Sequence, residues 1–209
     1  MEVLMAGSIM QRCRVALIEE INPRKVLLVG EGHGRFLIPL LQHFPKAEVT
    51  CVDASASRLE VARRRVSHAG LDDRRVCWIH ADVLRAGEIP GDHDLLVTQF
   101  FLDCFDGNTL GEVVRRLAGR ALEDASWLVA DFQIPGRGWR QWRARAIVFL
   151  MIQFFRRVTA LPASRLEDPS QFLCEVGFVE RKRAEFEWGL LSCQLWSREN
   201  FTGSRLGIR

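Results

Sequence analysis

Val26-Leu27-Leu28-Val29-Gly30-Glu31-Gly32-His33-Gly34 joins two kinds of sequence in nine residues. Lys25 to Val29 is a short, continuous apolar run, as expected of a strand buried on both faces in a parallel sheet. Three glycines at alternate positions follow, and Phe36 to Phe44 then reads as an apolar helix. A strand that turns into a helix at such a loop needs residues without a Cβ, both to reach positive φ and to let the backbone approach a ligand closely. A dinucleotide loop of the G-x-G-x-x-G type wants a small residue at position 35, where this chain has Arg35. The spacing therefore counts against NAD.

Working outward, the pattern repeats. Ala47 to Val52 ends at Asp53, and Ser57-Arg58-Leu59-Glu60 has the form of a capping box opening a helix to about His68. Val76 to Ile79 ends near Asp82, and Leu95 to Thr98 ends near Gln99. Leu110 to Leu122 reads as a helix, followed by a strand from Trp127 to Ala130 that ends at Asp131. Upstream, apolar positions at helical spacing make residues 1–22 a leading helix, broken by Asn22-Pro23. Downstream, a long helix from Gly138 to about Thr159 and a shorter one from Pro169 to Glu175 precede two strands, Phe178 to Glu187 and Leu190 to Ser197, close together around Gly189. Alternating strands and helices predict right-handed βαβ units; the closing pair predicts a hairpin. The expected fold is α/β: a Rossmann-like open sheet, mostly parallel with an antiparallel C-terminal edge hairpin, with helices on both faces. Nothing resembling a linker or a repeat divides it, so residues 1–209 read as one domain.

Bulk properties narrow the partners. The balance of 29 basic against 26 acidic residues is too even and too dispersed to imply a nucleic-acid partner. Cys13, Cys51, Cys77, Cys104, Cys174 and Cys193 have no C-x-x-C spacing, so they read as small buried hydrophobes in a cytoplasmic protein, without disulfides or a metal site. No signal-peptide pattern and no apolar run of bilayer length is present.

Chemistry-bearing residues collect at one place in this scheme. Gly30 to Gly34, Asp53, Asp82, Gln99 to Asp103 and Asp131 all fall at the carboxyl ends of predicted strands, the edge of an open α/β sheet where ligands bind. Asp53 stands roughly 20 residues past the first glycine, where a carboxylate reaches ribose hydroxyls; its bland alternative is a charge favourable to the following helix. Asp82 suits an adenine amino group or an ordinary loop. In the segment Gly138-Trp139-Arg140-Gln141-Trp142-Arg143 and the apolar stretch behind it, three readings compete. One is a helix buried under the hairpin; another is a lid over an acceptor, spanning 136–165 with Trp139 and Trp142 against the substrate; the third is an interfacial helix that touches a membrane surface.

These residues resemble the class I S-adenosylmethionine-dependent methyltransferases and, more loosely, the group that includes quinone-biosynthesis methyltransferases. VLLVGEGHG looks like the family's first motif, CVDAS like its ribose-binding acidic motif, IHADVL like its adenine-contacting motif, and the terminal hairpin like its reversed last strand. The resemblance implies S-adenosylmethionine as cofactor, with Gly30, Glu31, Gly32 and Gly34 near its methionine portion, Asp53 and Ala54 at the ribose, Asp82 and Val83 bordering the adenine, and Gln99 nearby. The family's acidic residue two places before the first glycine is replaced here by Leu28. An N-P-P-Y type of loop is also absent where Phe100-Phe101-Leu102-Asp103 follow the fourth strand, which argues against nucleobase or glutamine amino groups as acceptors. The implied activity is in-line methyl transfer to a small apolar or aromatic molecule, with no metal. Asp103 is the first candidate for a general base, ahead of Asp131 and His33. A cofactor-binding module without turnover and an NAD(P)-dependent oxidoreductase remain the alternatives.

Overall fold

The computed structural model describes residues 2–85, 89–136, 138–139, 141–148 and 166–198. Helix α1 (Glu2–Val15) leads into β1 (Lys25–Val29), α2 (Leu37–His43), β2 (Glu48–Asp53), α3 (Ala56–His68) and β3 (Val76–His80). There follow β4 (His93–Gln99), α4 (Gly107–Ala118), β5 (Ala121–Phe132), the helical segment α5 (141–148), α6 (Ser170–Glu175), β6 (Phe178–Phe186) and β7 (Leu191–Arg198). The strands form one sheet in the order β3-β2-β1-β4-β5-β7-β6. Its first five members are parallel, while β7 runs antiparallel to both neighbours. The expected architecture is thus present, with the hairpin inserting β7 beside β5 and leaving β6 at the edge.

Alternation along the strands builds two cores. Val26 and Leu28 of β1 face α1, α2 and α3, packing with Leu17, Phe36, Leu40 and Leu59. Leu27 and Val29 face the other way, packing with Leu110, Val113 and Leu117 of α4 and with Leu173 of α6. A strand covered on both faces has no polar side, which is why KVLLV is an unbroken apolar run. The order reverses between β1 and β4, and this switch point is where the glycine loop emerges.

Local details differ from the sequence pattern for identifiable reasons. Helix α3 begins one residue before Ser57; Ser55 is its cap, its side chain accepting from the Arg58 N–H. The turn Gly119-Arg120 stops α4 at Ala118, so Leu122, expected at a helix end, lies in the exposed start of β5. Cys13, Cys51 and Cys193 are buried as expected, but Cys77 and Cys174 are exposed; all six are free. Of the long helix expected from Gly138 to Thr159, residues 141–148 are helical, and 149–165, most of the expected lid, lie outside the described residues. No helix among the described residues is long and apolar enough to cross a membrane.

Candidate active site

The glycine loop adopts the conformation that its composition anticipates. Gly30, Gly32 and Gly34 have φ values of 68°, 66° and 73°, the left-handed region that costs an L-residue roughly 1–2 kcal/mol. Gly34 is required by packing as well as by φ: a Cβ there would stand 3.1 Å from the Ala62 Cβ and 3.2 Å from its Cα on α3. Asp53, at the end of β2, ties the loop down. One carboxylate oxygen accepts from the Gly32 N–H at 2.9 Å and the other from the Ser55 N–H at 2.9 Å. Sequence offered Asp53 as either a ligand group or a helix-end charge; in the structure it braces both the loop and the turn into α3, with lone pairs left over.

Behind the loop lies a slot of about 70 Å³, lined on its polar side by Gly30, Asp53 and Asp82 and on its apolar side by Val29, Val52, Ala54, Val83, Phe101 and Phe105. Asp82 accepts from the Leu84 N–H at its mouth. Five of the expected cofactor residues, Gly30, Asp53, Ala54, Asp82 and Val83, therefore meet at one surface. Gln99 does not join them; its amide donates to the Arg14 carbonyl on α1. Nor does Glu31, which turns inward beneath the loop, where Oε1 accepts from the N–H groups of Phe36 (2.6 Å) and Leu37 (3.3 Å) at the start of α2. Burial pushes its carboxyl up to about 7, the two backbone donors and the Arg14 guanidinium pulling the other way. His33 is exposed.

Phe101 and Phe105 are site residues that the sequence reading missed; the signal was the aromatic run Phe100-Phe101 directly after β4. Phe100 takes a positive φ of 55°, a strained turn of the kind that clusters at functional sites. Two bonds to β5 hold it: the Phe100 N–H donates to the Ala130 carbonyl at 2.6 Å and the Phe101 N–H to Asp131 Oδ1 at 3.1 Å. The result lays the Phe101 ring directly on Gly30, where a Cβ would collide with it.

Asp103 and Asp131, the two carboxylate candidates for a base, flank this turn. Burial pushes Asp103 up to about 6, opposed by a hydrogen bond from the Cys104 thiol and by the Arg14 charge. Burial pushes Asp131 well above the carboxylate range, and the Asp103 charge adds to the effect. Asp131 Oδ2 is buried with no partner. Trp139 and Trp142 are 60% and 72% exposed, Trp139 stacked edge-on against Trp188, and neither lines the slot.

The chemistry of the slot fits an adenosyl group. Apolar walls suit a purine, a carboxylate at the end of β2 suits a diol, and glycine backbone at a helix entrance suits the remainder. At about 70 Å³ the slot is smaller than an adenosyl group, and the Phe101 ring lying on Gly30 takes up part of the room that the group would need. Asp53, Asp82 and the main chain at Gly30 are the groups here that would hold one.

Comparison with known proteins agrees with this geometry. A family model described as a methyltransferase domain matches residues 26–123. Release factor glutamine methyltransferase of Chlorobaculum tepidum is 34% identical over 115 residues, 53% of this chain and 39% of that protein. The tRNA1(Val) (adenine(37)-N6)-methyltransferase of Vibrio parahaemolyticus is 35% identical over 69 residues, 33% of this chain and 28% of that protein. The chain thus spans well under half the length of these curated relatives. Among solved structures, the mitomycin 7-O-methyltransferase MmcR superposes with a TM-score of 0.69 at 21% identity, covering 92% of this chain and 54% of that one. The N-methyltransferase NodS from Bradyrhizobium japonicum superposes at 0.62 and 14%, covering 94% and 97%. At such identities the solved structures carry the fold alone; the sequence comparison adds that residues 26–123, just under half of the chain, match a methyltransferase domain.

Proposed function

We infer that the chain binds S-adenosylmethionine across Gly30, Asp53 and Asp82 and transfers its methyl group to a small molecule. The observation that carries this reading is the slot itself: bare glycine backbone and a braced carboxylate facing apolar walls at the switch point of the sheet. When bound, S-adenosylmethionine supplies a methyl carbon activated by a sulfonium sulfur, which keeps the electron pair of the broken bond. The protein's part is to hold donor and acceptor in line and exclude water, an effect worth up to about 7–11 kcal/mol.

A small acceptor is favoured over a protein or nucleic-acid one on two grounds. The resemblance sets an expectation of an N-P-P-Y type of loop for glutamine or nucleobase amino groups, and Phe100-Phe101-Leu102-Asp103 stands in its place. A second cavity, of about 220 Å³, opens beside Asp131; it is smaller than the roughly 300–1,000 Å³ of drug-sized ligand sites and so suits only a small acceptor. The apolar or aromatic acceptor suggested by Trp139 and Trp142 loses its support, because both rings stand at the surface and neither lines this cavity.

Calorimetry tests the reading directly. S-adenosylmethionine and S-adenosylhomocysteine should bind the wild-type chain and NADH should not. Radiolabelled methyl should then pass to a component of a small-metabolite extract. Binding without any transfer would leave a cofactor-binding module, and NADH binding in preference would return the oxidoreductase.

A further inference from the structure

Helix α1 is tied to the carboxyl edge of the sheet at two places. The Gln11 amide donates to the Arg35 carbonyl at 2.9 Å, just past the glycine loop, and the Gln99 amide at the end of β4 donates to the Arg14 carbonyl at 3.0 Å. These bonds hold the last turn of α1 beside β1 and β4, where the strand order reverses. The side chain they deliver there is Arg14, partly buried, with its guanidinium 4.6 Å from the centre of the Phe100 ring.

A ring beneath a guanidinium fixes its position without using its N–H donors, which lie in the plane of the group. Among the described residues, no hydrogen bond and no close ion pair engages those donors. The acids beside Arg14 are spent elsewhere. Glu31 accepts from the Phe36 and Leu37 N–H groups and Asp103 from the Cys104 thiol, so their charges act on Arg14 only at a distance. Arg35 adds a second positive charge to the same neighbourhood. A partly buried guanidinium with unfilled donors suits a planar anion, and a carboxylate matches its fork.

The place of Arg14 relative to the slot says which anion. Gly30 and Phe101 line the slot, and their chain neighbours Glu31 and Phe100 are groups that flank Arg14. One residue along either segment therefore leads from the slot to the unfilled guanidinium. We propose that Arg14 reads the amino-acid end of the cofactor by pairing with the carboxylate of S-adenosylmethionine, which makes helix α1 part of the binding site. The inference rests on the methyltransferase reading above. A cation at this point selects a cofactor that carries a carboxylate over a nucleoside whose tail is neutral or purely basic.

The test titrates S-adenosylmethionine and decarboxylated S-adenosylmethionine, which differ only in that carboxylate, by calorimetry. Wild type should bind the first about tenfold or more tightly than the second. Arg14→Gln should weaken S-adenosylmethionine by about tenfold or more and leave the decarboxylated compound within about threefold of wild type, so that the preference disappears. Arg14→Lys keeps the charge but loses the fork; it should lower the preference by about two- to fivefold, and it decides the question if the glutamine variant does not fold. An equal loss of both ligands is what a purely structural role gives and overturns the proposal, as does a preference undiminished in both variants. If neither compound binds the wild type, the methyltransferase reading falls as well; if both bind it equally, only the role of Arg14 is lost.

Discussion

The two halves of the sheet's carboxyl edge are built in opposite ways. At β1, β2 and β3 the slot is made of main chain and of residues adjacent to strand ends, in contiguous segments such as 29–30 and 52–54, closed on one side by Phe101 and Phe105 after β4. At β5, β7 and β6 the cavity is made of side chains more than fifty positions apart, Asp131 with Arg183 and Gln194, joined only when the reversed strand inserts. The first half is fixed by backbone geometry that a universal cofactor demands. The second is fixed by which side chains line three strands.

If backbone geometry governs the first half, distorting it should have the largest effect anywhere in the molecule. Gly34→Val puts a β-branched residue at φ 73° and drives its Cβ into the Ala62 backbone. Left-handed strain and overpacking together should cost about 4 kcal/mol. Chemical denaturation should show that loss along with lost S-adenosylmethionine binding. A variant of wild-type stability would mean that the loop is not clamped against α3, and the contrast between the two halves would fail.

Glu31 sharpens the comparison from beneath the loop. Its folded carboxyl titrates near 7, above the ordinary value of 4.5, because of burial. A raised folded pKa means stability that is fully present below about pH 4.5 and lost as pH rises through about 7. Glu31→Gln keeps an acceptor for the Phe36 and Leu37 N–H groups but has no charge to bury. At pH 8 it should be more stable than wild type by about 3.5 kcal/mol, at roughly 1.4 kcal/mol per unit, and the difference should vanish by pH 4. Asp103 and Asp131 are raised as well, so both proteins keep some decline with pH and only the difference between their melting profiles is informative.

Asp53→Ala comes next in size. It removes acceptors from the Gly32 and Ser55 N–H groups and from any bound diol, and S-adenosylmethionine affinity measured by calorimetry should fall by about 1–3 kcal/mol, roughly 5- to 150-fold. Unchanged affinity would take Asp53 out of the cofactor half.

The asymmetry also explains what the sequence made readable. Alternation of buried runs with glycine, Asp53 and Asp82 at their ends gave the sheet and most of the slot, because those residues are positioned by their own strands. Gln99 and Glu31 were assigned to the ligand for the same reason, but a strand-end position does not say which way a side chain turns: Gln99 reaches α1 and Glu31 caps α2. Phe101 was overlooked because its place over Gly30 depends on a left-handed Phe100 and two bonds to β5. The cavity left only a faint trace, the polar Ser192 and Gln194 alternating with apolar neighbours in Leu191 to Trp196. Two buried polar residues on one face of an otherwise apolar strand are the pattern that could have found it.

The smallest predicted effect bears on the lid reading of Trp142. Its ring is 72% exposed, and among the described residues the Arg145 guanidinium lies 5.9 Å from its centroid. A surface pair of that kind contributes at most about 0.5–1 kcal/mol, so Trp142→Ala should change stability within about 0.5 kcal/mol. Trp139→Ala loses its edge-on partner in Trp188 and should cost somewhat more, about 0.5–1.5 kcal/mol. The informative readout for both is KM for the acceptor once turnover is established. A rise of threefold or more in either variant would show that these rings close over the acceptor during the reaction, and the second half of the edge would then owe part of its selectivity to the segment after β5 as well as to the strands.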